Sequence, residues 1–121
     1  MVATLYVMPV RPGRSDDFRA FVADLMRSRR VDWAESHRRR GVTRQVVFIG
    51  RDGAGRDLAM IYSESPDPES AFTSIAASDH PFDRWLAEKM SELVEARIAV
   101  ESLADTAPKP GIWRGWRRLR R

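Results

Sequence analysis

Two stretches of this chain, LYVMPV at residues 5 to 10 and LAMIY at residues 58 to 62, are apolar on both faces of any strand they form. Side chains alternate across a strand, so a sheet built on such strands needs cover on both of its sides. ATLYVMPV, residues 3 to 10, is rich in β-branched and aromatic types and is closed by Arg11-Pro12-Gly13, which marks a strand ending in a turn. Whatever fold this chain adopts must supply two covering layers.

Helices supply one of them. Ser15 stands where an N-cap is wanted, with Asp16 and Asp17 in the first turn, where the helix dipole favours negative charge. Phe18, Phe21, Val22, Leu25 and Met26 recur at helical spacing, and the pattern runs to Arg40 before Gly41 stops it. One long helix with a bend near Arg30 is expected. VTRQVVFIG (42–50) and DLAMIYSE (57–64) predict two strands, joined through RDGAGR in a hairpin. Asp67 followed by Pro68 opens a helix through about Ala77. SDHP interrupts it, and Phe82, Leu86, Met90, Leu93 and Val94 mark a further helical segment and core positions. ARIAVESLA (96–104) supplies a last strand.

The order strand, helix, strand, strand, helix, strand is the split βαβ arrangement, so the expected class is α+β, a ferredoxin-like βαββαβ fold with an antiparallel sheet. Its first and third strands are expected to be central. At 121 residues the chain holds one such domain, placed at residues 1–105, with residues 106–121 as a tail. The helices lie on one side of the sheet. The other face, carrying either Leu5 and Val7 or Tyr6 and Met8, is best covered by a second copy of the same sheet, which predicts a homodimer.

The strand VATLYVMPVRPG, the helix end RRRGV leading into TRQVVFI, the strand DLAMIYSES and the segment AFTSIAASDHPFDRW resemble the dimeric α/β-barrel superfamily, and within it a small bacterial family of unknown function. The resemblance covers about residues 2 to 95. It implies a dimeric α/β barrel and a protein that handles a flat, apolar organic molecule, monooxygenase- or cyclase-like and independent of any cofactor. Haem-degrading members of the superfamily use an Asn, Trp and His set; this chain contains no asparagine. The resemblance implies no active-site residue.

Composition narrows the chemistry further. There is no cysteine, which removes disulfides, thiolate nucleophiles and sulfur-based zinc sites, and two histidines leave little for a metal. The opening MVATLYVMPVRPG lacks a basic n-region and no apolar run approaches the roughly 20 residues of a membrane span, so no transmembrane segment and a reducing, cytoplasmic location are expected.

Three groups of residues are candidates for function. His80, in SDHPFDRW, is either a proton carrier or only part of a helix start, where Asp79 or His80 caps and Pro81 fits the first turn. On the first helix the apolar stripe turns polar at Arg29, Trp33 and either Ser36 or His37, which suggests the end of a ligand pocket: Trp33 to stack a flat ligand, Arg29 and His37 for polar contacts. Tyr6 and Tyr62 fall on neighbouring strands, and one face of the sheet could bring their hydroxyls together with Gln45. His37 and His80 are therefore the candidate catalytic residues, and Tyr6, Arg29, Trp33, Gln45 and Tyr62 the candidate ligand-binding ones. RDGAGRD lacks the Lys-Ser/Thr of a phosphate loop.

The tail PKPGIWRGWRRLRR offers a second class of function. Six of the 21 positive charges fall in residues 109 to 121, leaving residues 1 to 108 with 15 positive and 17 negative charges. A mildly acidic body thus precedes a basic, tryptophan-bearing end. Arg114, Trp116, Arg117 and Arg118 are the candidate partner-binding residues of a non-catalytic interaction module, with an acidic protein as partner ahead of nucleic acid, since no RNA-binding fold stands behind them.

Overall fold

The structure is a computed structural model and describes residues 1–107. It is an α+β fold whose elements run β1 (Val2–Pro9), α1 (Ser15–Met26), α2 (Arg30–Arg40), β2 (Arg44–Arg51), β3 (Asp57–Ser65), α3 (Pro68–Ala77) and α4 (Pro81–Leu93). The three strands form one antiparallel sheet in the order β1-β3-β2. No helix among the described residues is long and apolar enough to cross a membrane.

The alternation of β1 decides which face the helices cover. Tyr6 and Met8 are buried, whereas Leu5 stays 39% exposed. The same parity puts Ala59, Ile61 and Ser63 of β3 and Gln45 and Val47 of β2 beneath the helices, because the register pairs Tyr6 with Ile61 and Ile61 with Val47. Phe18, Phe21 and Leu25 of α1 close over this face together with Phe82, Leu86 and Leu93 of α4. Each such side chain contributes about 2 kcal/mol when fully withdrawn from water. On the opposite face Leu5 and Phe48 remain open, Phe48 at 51%.

Four expectations are corrected. The long helix is two helices: the backbone leaves helical geometry at Arg27 (φ −121°, ψ −91°), and the Arg29 amide donates to the Asp24 carbonyl oxygen at 2.8 Å. No apolar residue lies between Met26 and Val31, so nothing there holds the chain to a straight path over the sheet. Ser15 is the first helical residue, not the cap; its hydroxyl donates to Asp57 Oδ2 at 2.5 Å and ties α1 to β3.

The fourth strand is also not formed. Val94 and Ile98 touch the free edge of β1 only through isolated bridges, Val10 to Val94 and Val7 to Ile98. Of the named strands only β3 therefore has strands on both sides, and β1 is not central. In ARIAVESLA, alternation leaves Arg97, Ala99 and Glu101 opposite Ile98 and Val100, so one side of the segment has almost nothing apolar to bury.

The turn chemistry follows the sequence closely. Asp52 accepts hydrogen bonds from the Ala54 and Arg56 amides inside the β2–β3 hairpin. Asp67 caps α3 by accepting from the Ser70 amide. Gly41 takes a left-handed φ of +72° after α2, and the Gly41 and Val42 amides donate back to the Arg38 and His37 carbonyls, the Schellman pattern.

Candidate functional site

α2 presents Trp33, Ser36, His37 and Arg40 along one side, at spacings of three and four. Because α2 is set off from α1, this side reaches both the end of the sheet and the start of α4. Two arrangements result, one polar and structural, the other a cavity.

The polar one centres on Asp83, 2% exposed in the first turn of α4. Its Oδ1 accepts from the Ser36 hydroxyl at 2.6 Å and from Arg39 Nη2 at 2.9 Å, and its Oδ2 accepts from the Ser78 hydroxyl at 2.7 Å. Burial pushes the carboxyl pKa up, but the bonds from Ser36, Ser78 and Arg39 outweigh it and hold the group below its usual value. His80 belongs to the same turn: its amide donates to Ser78 Oγ at 3.1 Å and its Nδ1 accepts from the Phe82 amide at 3.3 Å. In SDHPFDRW, then, His80 is the N-cap of α4 and sits exposed, while Asp83 ties α2, α3 and α4 together.

The cavity lies between the sheet and the helices and has a volume of about 230 Å³. Its floor is graded by the strand register. Met8 stands at one end; Tyr6, Ile61 and Val47 form the next row; Ser63 and its cross-strand partner Gln45 form the last. Its walls are mostly apolar, with Phe18, Phe21 and Leu25 from α1, Trp33 from α2, Phe72 and Ile75 from α3, and Leu86 and Met90 from α4. Polar side chains are confined to one end, where Arg40 joins Gln45 and Ser63.

Tyr6 is fixed within this wall. Its ring stacks on Phe72 with centroids 4.7 Å apart, and its hydroxyl donates to the Pro68 carbonyl oxygen at 2.8 Å. Burial, reinforced by the Glu69 charge, pushes the phenol pKa up, so Tyr6 acts at neutral pH as a protonated donor and not as a base. Arg97 lies over the outer edge of this pair, 4.5 Å from the Phe72 ring centre, and is held by Glu69 at 2.8 Å.

The structure brings together only part of the expected set. Tyr6, Trp33 and Gln45 line the cavity. His37 stands one step behind it, with Nε2 2.8 Å from Gln45 Oε1 and its ring 4.8 Å from that of Trp33. Burial pulls the His37 pKa down, with the Gln45 bond opposing, so the ring is neutral and donates from Nε2 to the amide oxygen. Tyr62 is on the other face, paired with Leu5 and Val46, so its hydroxyl meets neither the Tyr6 hydroxyl nor the Gln45 carboxamide; it lines a surface groove with Leu5 and Val100 instead. Arg29 turns away to stack on Trp85 at 4.1 Å. His80 lies at the α4 cap, away from the cavity lining. Arg114, Trp116, Arg117 and Arg118 lie outside the described residues.

Sequence reasoning missed Arg40, Ser63 and Asp83 as partners in these arrangements. Arg40 carried a signal, since it follows Trp33 and His37 on one side of the helix; Ser63 became visible only once strand parity was settled. Among the described residues no group of acidic and histidine side chains is placed to hold a metal ion. No protein-family model matches the chain, and no curated protein matches it. What fold and site define together is a small α+β protein with an apolar cavity, polar at one end, between an antiparallel sheet and its helices.

Proposed function

We propose that this protein binds a small, flat, largely apolar organic molecule in the cavity between sheet and helices, as a ligand-handling protein of the dimeric α/β-barrel kind. The observation that carries this is the layout of the cavity: aromatic and aliphatic walls with polar groups gathered at one end, which is how small-molecule sites are generally built. Size sets the ligand. An apolar cavity of about 150 Å³ admits benzene, so about 230 Å³ accommodates one substituted ring or a compact bicycle such as indole, and not a fused three-ring system. If the bound molecule is turned over in a monooxygenase- or cyclase-like step, His37, one hydrogen bond behind Gln45, is the histidine placed to carry a proton.

The ferredoxin-like assignment is supported by the helices packing on one face of the sheet and by residues 94–98 running against β1, where a fourth strand of that fold would lie. The homodimer is supported by the face turned from the helices, where Leu5 and Phe48 stay exposed beside Val46 and Met60, with residues 100–102 bordering only the Leu5 and Tyr62 end. A second copy related by a two-fold axis covers it with the same surface.

The test is ligand-observed and protein-observed NMR with indole, toluene and anthracene at matched concentrations. The one-ring and two-ring probes are expected to shift signals of Leu25, Ile61 and Leu86, anthracene is expected to shift none, and Val47→Phe, which fills the floor, is expected to abolish the response. Absence of any shift in those residues with every probe would remove the reading.

A further inference from the structure

Arg40 is the charged group of the cavity lining, and an apolar ligand does not use it. Its guanidinium is half-buried at the polar end, donating from Nε to Ser36 Oγ at 3.1 Å and from Nη1 to the Ala71 carbonyl oxygen at a long 3.4 Å. Both acceptors are neutral, and among the described residues Arg40 forms no salt bridge; the nearby Asp83 is taken up by Arg39, Ser36 and Ser78. A guanidinium offers five N–H donors in a planar fork, so three remain unspent here.

Withdrawing a charge from water without a counter-charge is unfavourable, and buried charges are therefore normally paired. Burial indeed pulls the Arg40 pKa down, with the Asp83 charge opposing from behind Ser36. The surroundings of the fork suit an anion. Gln45 and Ser63 are direct cross-strand partners at the same end of the floor, and Gln45 Oε1 is already committed to His37, which leaves its amide N–H groups to donate. Among the described residues no carboxylate lines the cavity.

We propose that the ligand is a single-ring aromatic carboxylic acid, its carboxylate seated on the Arg40 fork beside Gln45 and Ser63 and its ring against Phe21, Leu25 and Ile61. The planar carboxylate matches the fork in a bidentate contact, and the cavity volume leaves room for one ring beyond it. The inference deepens the cavity reading and rests on it.

Benzoate, benzamide, toluene and acetate, titrated at pH 7 into the full chain and followed by NMR or calorimetry, separate the two. Benzoate is expected to bind about tenfold or more tighter than benzamide, the discrimination typical of a charge-assisted bond, and Arg40→Met is expected to erase that ratio while toluene binding persists. Equal binding of benzoate, benzamide and toluene would overturn the acid while leaving an apolar ligand site. Acetate binding as well as benzoate would also overturn it, since the ring would then contribute nothing. A ratio that survives Arg40→Met would remove Arg40 from the site. Binding by none of the ring compounds would sink the cavity reading itself. Should Arg40→Met fail to fold, the benzoate-to-benzamide ratio on the unmutated protein and its loss with added salt still decide the matter.

Discussion

The hydroxyl of Ser36 donates to the carboxylate of Asp83 across 47 residues of chain at 2.6 Å, with Ser36 wholly buried. Two polar side chains at such depth persist because each satisfies the other, and Arg39 and Ser78 complete the shell. Asp83→Ala leaves two serine hydroxyls and a guanidinium without their acceptor at the junction of three helices. It is expected to destabilise the protein by about 3 kcal/mol, read as a lowered urea midpoint. Ser78→Ala, which removes one of three donors, is expected to lose about 1 kcal/mol.

The same carboxylate sets a pH dependence. Its folded-state pKa lies below the ordinary 3.8, so its contribution is fully present above the unfolded-state value and is lost as pH falls through the folded-state one. Stability of the unmutated protein is expected to drop on acidification below about pH 4, and Asp83→Asn is expected to flatten that part of the profile. An unchanged acid limb in the variant would show that the carboxylate is not held as described.

His37 acts in a higher window. Burial depresses its pKa from the ordinary 6.5, so between the folded and unfolded values the unfolded chain binds the extra proton. Stability is then complete above about pH 6.5 and declines as pH falls below it toward the folded-state pKa. Histidine ring signals followed by NMR are expected to place the His37 midpoint below 6.5, and His37→Gln is expected to remove the decline. Tyr6 contributes nothing in this range, since its phenol is shifted upward.

These groups also show what a sequence read alone can carry. The hairpin, the Asp67-Pro68 start and the break at SDHP were legible because each depends on backbone chemistry within a few residues, and the strand pair was legible from its β-branched composition. The floor of the cavity was not. Tyr6 and Tyr62 look equivalent in sequence, yet the register pairs Tyr62 with Leu5 and so sends the two rings to opposite faces; a one-residue offset reverses a strand's facing. Arg29 points at Trp85 because the chain leaves helical geometry at Arg27; the sequence marked a bend near Arg30 but not a full break into two helices. Residues 96–104 have strand composition, yet this part of the chain meets β1 only at isolated bridges, Val10 to Val94 and Val7 to Ile98.

Gly41 tests the join between α2 and β2. Its φ of +72° is left-handed, and a Cβ there meets only Pro66 Cδ at an ordinary 3.7 Å, so space is not the obstacle. Gly41→Ala is expected to destabilise by about 1 kcal/mol through backbone conformation alone, with the slope of the urea transition unchanged. A neutral outcome would mean that the chain re-closes α2 without the left-handed residue. Since Arg40 immediately precedes it, the same variant is expected to weaken benzoate more than toluene.

The open face of the sheet gives the last prediction. Phe48 is 51% and Leu5 39% exposed in a single copy, so a charge at Phe48 disturbs little within one subunit. Buried against a second sheet, the same charge would face apolar surface with no partner, a penalty of several kcal/mol counted twice across a two-fold axis. Phe48→Asp is therefore expected to convert a dimer into a folded monomer, read by sedimentation velocity with an unchanged circular dichroism spectrum. If the unmutated protein already sediments as a monomer across the micromolar range, the second copy is not the cover, and Leu5, Phe48 and Met60 face water or another partner. If Phe48→Asp remains dimeric, the copies meet elsewhere, and the free edge of β1 beside Ile98 becomes the surface to examine.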